Sequence, residues 1–317
     1  MANFGIPTTL DTVALNTSLA DYARQLTDNA YNDPVVWRLF NEGQNKRMVN
    51  GGLSITTTLI KEKQTEGGFY LGADTLNNSQ GNTLTTVEYL WQNAYEPIQV
   101  TRDEERQNSG DVHKILDLVA TKTALSRKAI LERLDQALST PVGSANNLID
   151  LETLVNTGTL GNIAGATDTF WQATVTSSGA FATQGLTDMT TAYYAVSSSA
   201  AVDNPTIIIT NKAIFQKYEQ TRLPLERISN GDLTANAGFK NLTFKGTPII
   251  YGNHIGTGLL FELNQNYNNI TVDTETDMIV TPFISPTNQT VKVAYYLWRG
   301  NMTTNNRRRN TKLTDIT

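Results

Sequence analysis

Cysteine is absent from this chain, and histidine occurs only as His113 and His254. The first absence removes disulfides, thiolate metal sites and cysteine nucleophiles together, and it suits a reducing compartment. Neither histidine has a suitable partner nearby in sequence, so a catalytic triad or a histidine-based metal site has no support. Charge is scarce as well. Charged residues are 17% of the 317 positions and sum to −5, which speaks against an electrostatic nucleic-acid binder. Apolar runs stop short of the ~20 residues a membrane span requires. The opening stretch, MANFGIPTTLDTVALNTSLADY, has neither a basic leader nor a continuous apolar core, so a soluble chain without a recognisable export signal is expected. No phosphate-cradling G-x-x-x-x-G-K loop occurs. Asp273, Glu275 and Asp277 alternate as in a calcium loop but lack the turn glycine and the distal glutamate. No catalytic, cofactor-binding or metal-ligating residue is assigned, and the expectation is a protein that is not an enzyme.

What the chain does have is Thr, Asn, Ser and Gln in quantity and 39% apolar residues. That vocabulary favours strands and turns, with enough apolar material for a sizeable core. One stretch stands out, residues 111–139, which wound as a helix makes a rod about 43 Å long at ~1.5 Å per residue. Val112, Ile115, Leu116, Val119, Ala120, Ala124, Ile130, Leu131, Leu134, Ala137 and Leu138 fall on one half of it. Lys114, Asp117, Thr121, Lys128, Glu132 and Asp135 form a narrower polar stripe. Ser109 and Asp111 suit the start, and Pro141 ends it.

Before this rod, residues 1 to about 50 read as an extended arm with two short helical pieces. Leu19, Tyr22, Ala23 and Leu26 mark one; Asp33-Pro34 leads into Val35, Val36, Leu39 and Phe40 in the other. From Leu53 the period changes to two: Leu53, Ile55, Thr57 and Leu59 in one run, Val87, Tyr89, Trp91, Asn93 and Tyr95 in a second. A polar, glycine-rich tip separates them. The pair reads as a long hairpin, marginal alone and therefore needing support from outside itself, with a neighbouring subunit the obvious source. After the rod come a loop-rich stretch to about residue 183, a helix from Leu186, an apolar strand at Ile207, Ile208 and Ile209, and a helix capped by Asn211. A strand pair follows, turning at Gly246. Strands return near Gly258, Ile270, Met278 and Val291. The only basic run is Arg307-Arg308-Arg309, a weak phosphate site at best, equally suited to acidic residues on a neighbour. The sequons at Asn241 and Asn301 are of a kind common by chance in an Asn/Thr-rich chain.

This order of elements resembles the major capsid protein of tailed bacteriophages, with its Hong Kong 97-like fold. The strings that carry the resemblance are NPTIIITNKAIFQKYEQ (204–220), LTFKGTPIIYGNHI (242–255), residues 259–309 and GNIAGATDTFWQA (161–173). The resemblance implies an α+β chain divided into an N-terminal arm (1–52), an extended hairpin loop (53–95), a peripheral domain (96–145) holding the spine helix 111–139, an inserted axial domain (146–253), and peripheral C-terminal strands (254–317) pairing beneath the spine. It implies hexamers and pentamers of the chain itself, closing an icosahedral head around double-stranded DNA. Portal and scaffolding proteins, a decoration protein and weak non-specific contact with packaged DNA are the other partners it suggests; no cofactor and no membrane are expected. The place would be the virion, after assembly in the bacterial cytoplasm. No long charged scaffolding segment precedes the arm, which implies a separate scaffold or its prior removal. Some relatives cross-link through a lysine-to-asparagine bond; Lys61 and Lys63 near the tip are the candidate donors, and solvated lysines are the plainer reading. An encapsulin-type compartment shell shares the fold, and a monomeric hydrolase or carbohydrate-binding β protein is the alternative of another class.

Overall fold

The computed structural model describes residues 31–41, 45–76, 79, 81–107, 118–141, 146–197, 203–229, 242–287 and 289–317. In chain order these begin with helix α1 (Val35–Asn41) and strands β1 (Lys46–Val49), β2 (Ser54–Ile60), β3 (Leu84–Leu90) and β4 (Gln92–Thr101). Helices α2 (Arg102–Gln107), α3 (Leu118–Ser139) and α4 (Leu151–Leu154) follow, then β5 (Thr174–Ser177), α5 (Leu186–Val196), β6 (Ile207–Thr210) and α6 (Lys212–Ser229). The remainder is β7 (Thr243–Phe244), β8 (Thr247–Tyr251), β9 (Leu260–Leu263), β10 (Asn268–Asp273), β11 (Ile279–Val280), β12 (Val291–Thr304) and β13 (Thr311–Thr314). Two compact units share these elements. The first draws its described residues from 31–33, 94–133 and 275–298, the second from 34–93, 134–274 and 299–317.

In the first unit, β4 and β11 both pair with the leading half of β12, Ile279 opposite Leu297 and Val280 opposite Tyr296. Helix α3 is fastened to β4 by side chains that step along it. Lys122 donates to the Gln99 carbonyl at 2.9 Å, Ser126 to that of Pro97 at 3.1 Å, and Arg133 meets Glu96 at 3.0 Å. Thr101 and Glu104 form a reciprocal cap at the start of α2, the Thr101 amide donating to Glu104 at 2.8 Å and the Glu104 amide to the Thr101 hydroxyl at 3.3 Å. This satisfies two of the donors a helix start leaves open. Burial pushes the Glu104 carboxyl upward, but hydrogen bonds from Lys122 at 2.6 Å and from Thr101 outweigh it and hold it below its ordinary value.

The second unit is built on a six-stranded sheet in the order β5-β13-β9-β6-β8-β7. Its inner strand β6 is buried on both faces, as three consecutive isoleucines require. Asn211 caps α6 through the Ile214 amide at 2.9 Å. The β7–β8 turn places Lys245 and Gly246 at φ 49° and 83°, the twist a two-residue hairpin turn favours. Helices α5 and α6 cover one face, packing Met189, Tyr193, Ile214 and Tyr218 over Ile208, Ile249, Leu260 and Leu313. Apart from this sheet, β10 pairs with the trailing half of β12 and, in parallel, with β1.

Some expectations fall outside the described residues, and others need correction. Helix α3 is seen from Leu118; residues 111–117, with His113, lie outside the described residues, as do Ser109 and the helical piece around Leu19 to Leu26. Within α3 the apolar half is not uniformly buried: Val119, Ala120 and Ala124 are exposed, while Ile130, Leu134 and Leu138 are not. Asp135, placed in the polar stripe by the helical wheel, is 1% exposed because its carboxylate accepts the Trp37 amide of the first turn of α1 at 2.8 Å. That amide has no acceptor within its own helix. Finally, the C-terminal residues are not all strands pairing beneath the spine: β9 and β13 are inner strands of the six-stranded sheet, beside strands drawn from residues 174–251. Strand pairing follows apolar alternation on both sides, and adjacency in sequence does not limit it.

Candidate assembly surface

Strands β2 and β3 form a hairpin with Ser54 opposite Leu90 and Ile60 opposite Leu84. The ladder ends where the Lys61 amide donates to the Thr83 carbonyl at 2.8 Å. Period two decides the rest. On one face Ile55, Leu59, Val87 and Tyr89 are buried with Leu160, Ile163 and Trp171, flanked by Trp91, Ile149 and Phe170. The paired part of the hairpin is therefore rooted on its own chain: it does rest on residues outside itself, but for this part the source is the same chain and not the neighbouring subunit that was expected. The physical reason lies in the segment 161–173, whose side chains cover the apolar face.

That segment grips the strand edge closely. Asn162 accepts the Glu88 amide at 3.0 Å and donates to the Thr86 carbonyl at 3.1 Å, extending the ladder with a side-chain amide. Gly161 sits at φ +64°, and a Cβ there would lie 2.7 Å from the Glu88 carbonyl oxygen. The indole of Trp171 donates back to Leu160 at 3.2 Å. Two residues of β12 hold the foot of β3: Asn301 donates to the Leu90 carbonyl at 2.8 Å, and the Tyr89 hydroxyl donates to that of Thr304 at 2.9 Å. Burial pushes the Tyr89 phenol far above its ordinary value. Arg299 stacks on Trp91 at 5.0 Å and reaches Asp273 at 3.4 Å; Asp273 in turn accepts the Gly51 amide at 3.3 Å.

Past the ladder the character changes. Every described residue from Glu62 to Leu76 is exposed, including Phe69, Tyr70, Leu71 and Leu76. On the outer face of the paired part Ile60, Leu84 and Leu90 are bare, as is Leu53 just before it. Exposed apolar side chains gathered on one hairpin are what a candidate interaction surface needs. Within the tip, Asp74 accepts the Leu71 amide at 3.0 Å and Glu66 accepts the Ser79 hydroxyl at 3.1 Å. Of the two tip lysines, Lys61 lies 3.3 Å from Asp168 and Lys63 is exposed.

The basic run has a different use from those its composition suggested. Arg307 is 0% exposed, and its guanidinium donates to the carbonyls of Leu154 at 2.7 Å, Gly158 at 2.6 Å and Thr153 at 2.7 Å. Burial lowers it to about 10, still protonated near neutrality. Arg309 donates to Val196 at 2.7 Å and lies 3.6 Å from Asp203 of the same chain. Arg308 is exposed. Asn301, the described sequon asparagine, is buried and occupied by Leu90 and by the Ile149 amide at 3.0 Å. His254 is half-buried, its carbonyl accepting the Thr140 hydroxyl at 2.5 Å. Among the described residues no group of three His, Asp or Glu gathers as a metal site would require, and no helix is long and apolar enough to cross a membrane. The capping pair at Thr101 and Glu104 has a sequence signal, Thr-x-x-Glu; the Arg307 cage has none.

No family model matches the chain, and no curated protein matches it. Among solved structures it is similar to the cyanophage A-1(L) capsid asymmetric unit, with a TM-score of 0.73 at 16% identity over 94% of this chain and 97% of that one. It is similar also to the capsid of a native GTA particle, TM-score 0.62 at 11% identity over 98% and 100%. The SrpI encapsulin of Synechococcus elongatus PCC 7942 gives 0.61 at 11% over 95% and 94%. Near-complete coverage in both directions at low identity is a statement about architecture, and with the element order, the rooted hairpin and the two-lobed strand pairing it leads to one conclusion: the chain has the Hong Kong 97-like fold of tailed-bacteriophage capsid proteins.

Proposed function

We propose that this chain is a major capsid protein, a shell subunit that acts by assembling with copies of itself into rings and a closed head around double-stranded DNA. The observation that carries the reading is the hairpin. Its root is bolted to its own chain by Asn162, Asn301 and an apolar inner face, yet its tip and outer face display apolar side chains that the same chain leaves bare. A rigid root with an uncovered tip suits a lever that laps a neighbour. Each such contact is modest, and many of them in a closed lattice give durability through effective concentration. The likeness to a phage capsid, at TM-score 0.73, exceeds that to an encapsulin at 0.61, which favours a head over an enzyme compartment.

The spine α3, the hairpin and the six-stranded lobe take the parts of spine, extended loop and axial domain, with β9 and β13 added to the axial part. Replacing residues 65–80 by a short polar turn tests the reading. The expected subunit melts as the wild type does and forms no shells by electron microscopy; normal particles from that variant refute the role given to the tip. A stable 34.9 kDa monomer at every concentration refutes the shell itself.

A further inference from the structure

Strand β9 carries an acid where its neighbours are apolar. Glu262 is 0% exposed, and the register sets it opposite Ile208 of β6 and Thr311 of β13. Cross-strand partners share a face, as do residues two apart, so Glu262 projects to the same side as Leu260, Ile208 and Leu313. Those three pack under α5, α6 and β7 with Met189, Ile214 and Phe244. Neither carboxyl oxygen has a hydrogen-bond partner among the described residues, and neither has the Thr311 hydroxyl beside it.

The groups that face this cluster can be named element by element. Helix α5 offers Tyr193, and its Asp188 is engaged by Ser178. Helix α6 offers Tyr218, whose hydroxyl donates to the Thr243 carbonyl at 2.8 Å. Strand β8 carries Tyr251 at its exposed end, packed on Phe215. The β7–β8 turn offers Lys245, its ammonium held 3.6 Å from the Tyr194 ring and 4.8 Å from that of Tyr193. A carboxylate in this setting loses water and gains no donor. Burial raises Glu262 from 4.5 to about 8, with Lys245 acting in the opposite direction.

We propose that Glu262 is a proton-operated element of the six-stranded lobe: the lobe packs around the neutral acid, and removing its proton loosens α5 and α6 from the sheet. The sign is fixed by linkage. The folded chain keeps a proton that the unfolded chain has released, so stability falls as pH rises from 4.5 to about 8 and is level beyond.

Infrared spectroscopy of the full-length wild-type chain is the direct test. A protonated carboxyl stretch present at neutral pH, lost as pH passes about 8 and missing from Glu262→Gln, is expected. Across the same window, the folding equilibrium constant of Glu262→Gln gains on the wild type about tenfold per pH unit. Lys245→Met moves the infrared midpoint upward. A neutral-pH wild-type spectrum without the protonated band overturns the proposal, whether or not the variants fold. A pH-independent difference between the wild type and Glu262→Gln overturns it equally.

Discussion

Arg307 shows what a single side chain can require of a fold. Taking a guanidinium out of water costs several kcal/mol unless its donors are met, and here they are met by backbone carbonyls of Leu154, Gly158 and Thr153. The same bonds satisfy those carbonyls, two of which close the end of α4 and have no acceptor role left within it. Arg307→Met leaves them unsatisfied at about 1–3 kcal/mol each, so a loss of more than about 3 kcal/mol is expected in denaturant unfolding. Arg307→Lys recovers little of it, because one ammonium cannot span a planar fork. Arg308→Ala, at an exposed neighbour, should stay within about 0.5 kcal/mol. Equal losses at both positions would contradict the cage. Nothing in three consecutive arginines distinguishes the first from the second; the distinction comes from carbonyls some 150 positions earlier. Asp135 was hidden in the same way, since the helical wheel places it correctly on α3 but carries no information about the first turn of α1 that needs its oxygen.

At the scale of elements, the hairpin root and the segment 161–173 form one structure that neither makes alone. Gly161 permits the approach: its positive φ and the 2.7 Å a Cβ would leave to the Glu88 oxygen make any larger residue both strained and obstructed. Gly161→Ala is expected to cost about 1–3 kcal/mol and to open β2 and β3 to protease, with cleavage inside residues 54–90 as the readout. Unchanged protection of those strands would mean the contact is dispensable. The alternation at Ile55, Leu59, Val87 and Tyr89 was legible because burial on one face writes period two into the sequence. That alternation predicts a second strand running on to Tyr95, whereas the hairpin strand ends at Leu90 and Gln92–Thr101 is a separate strand paired with β12. The hairpin's support was not legible. Nothing in GNIAGATDTFWQA hints that its asparagine continues a ladder 74 residues away. The assignment of β9 and β13 escaped for a related reason: β13 reads Thr-Lys-Leu-Thr and β9 carries Glu262 among its apolar residues, so neither pattern names a partner, and the pairing is set by long-range register.

For the whole molecule the question is which surface drives association, and the chain's own charge narrows the answer. A net charge of −5 makes like copies repel on average, so in the proposed shell apolar area is the expected source of attraction. Phe69 and Leu71 at the tip are exposed. The paired substitution Phe69→Ser with Leu71→Ser should therefore leave the subunit's unfolding within about 0.5 kcal/mol of wild type. If each side chain is buried against a second copy, about 1.5–3 kcal/mol is lost per residue. That raises the concentration at which shells appear by at least about tenfold, read by light scattering against protein concentration. Added salt should not raise the wild-type threshold, because it screens the repulsion between copies and leaves apolar burial intact. A threshold that climbs steeply with salt would assign the contact to ion pairs instead. An unchanged threshold in the double variant would move the driving surface away from the tip, to the outer face at Ile60, Leu84 and Leu90, where the same pair of measurements can be repeated.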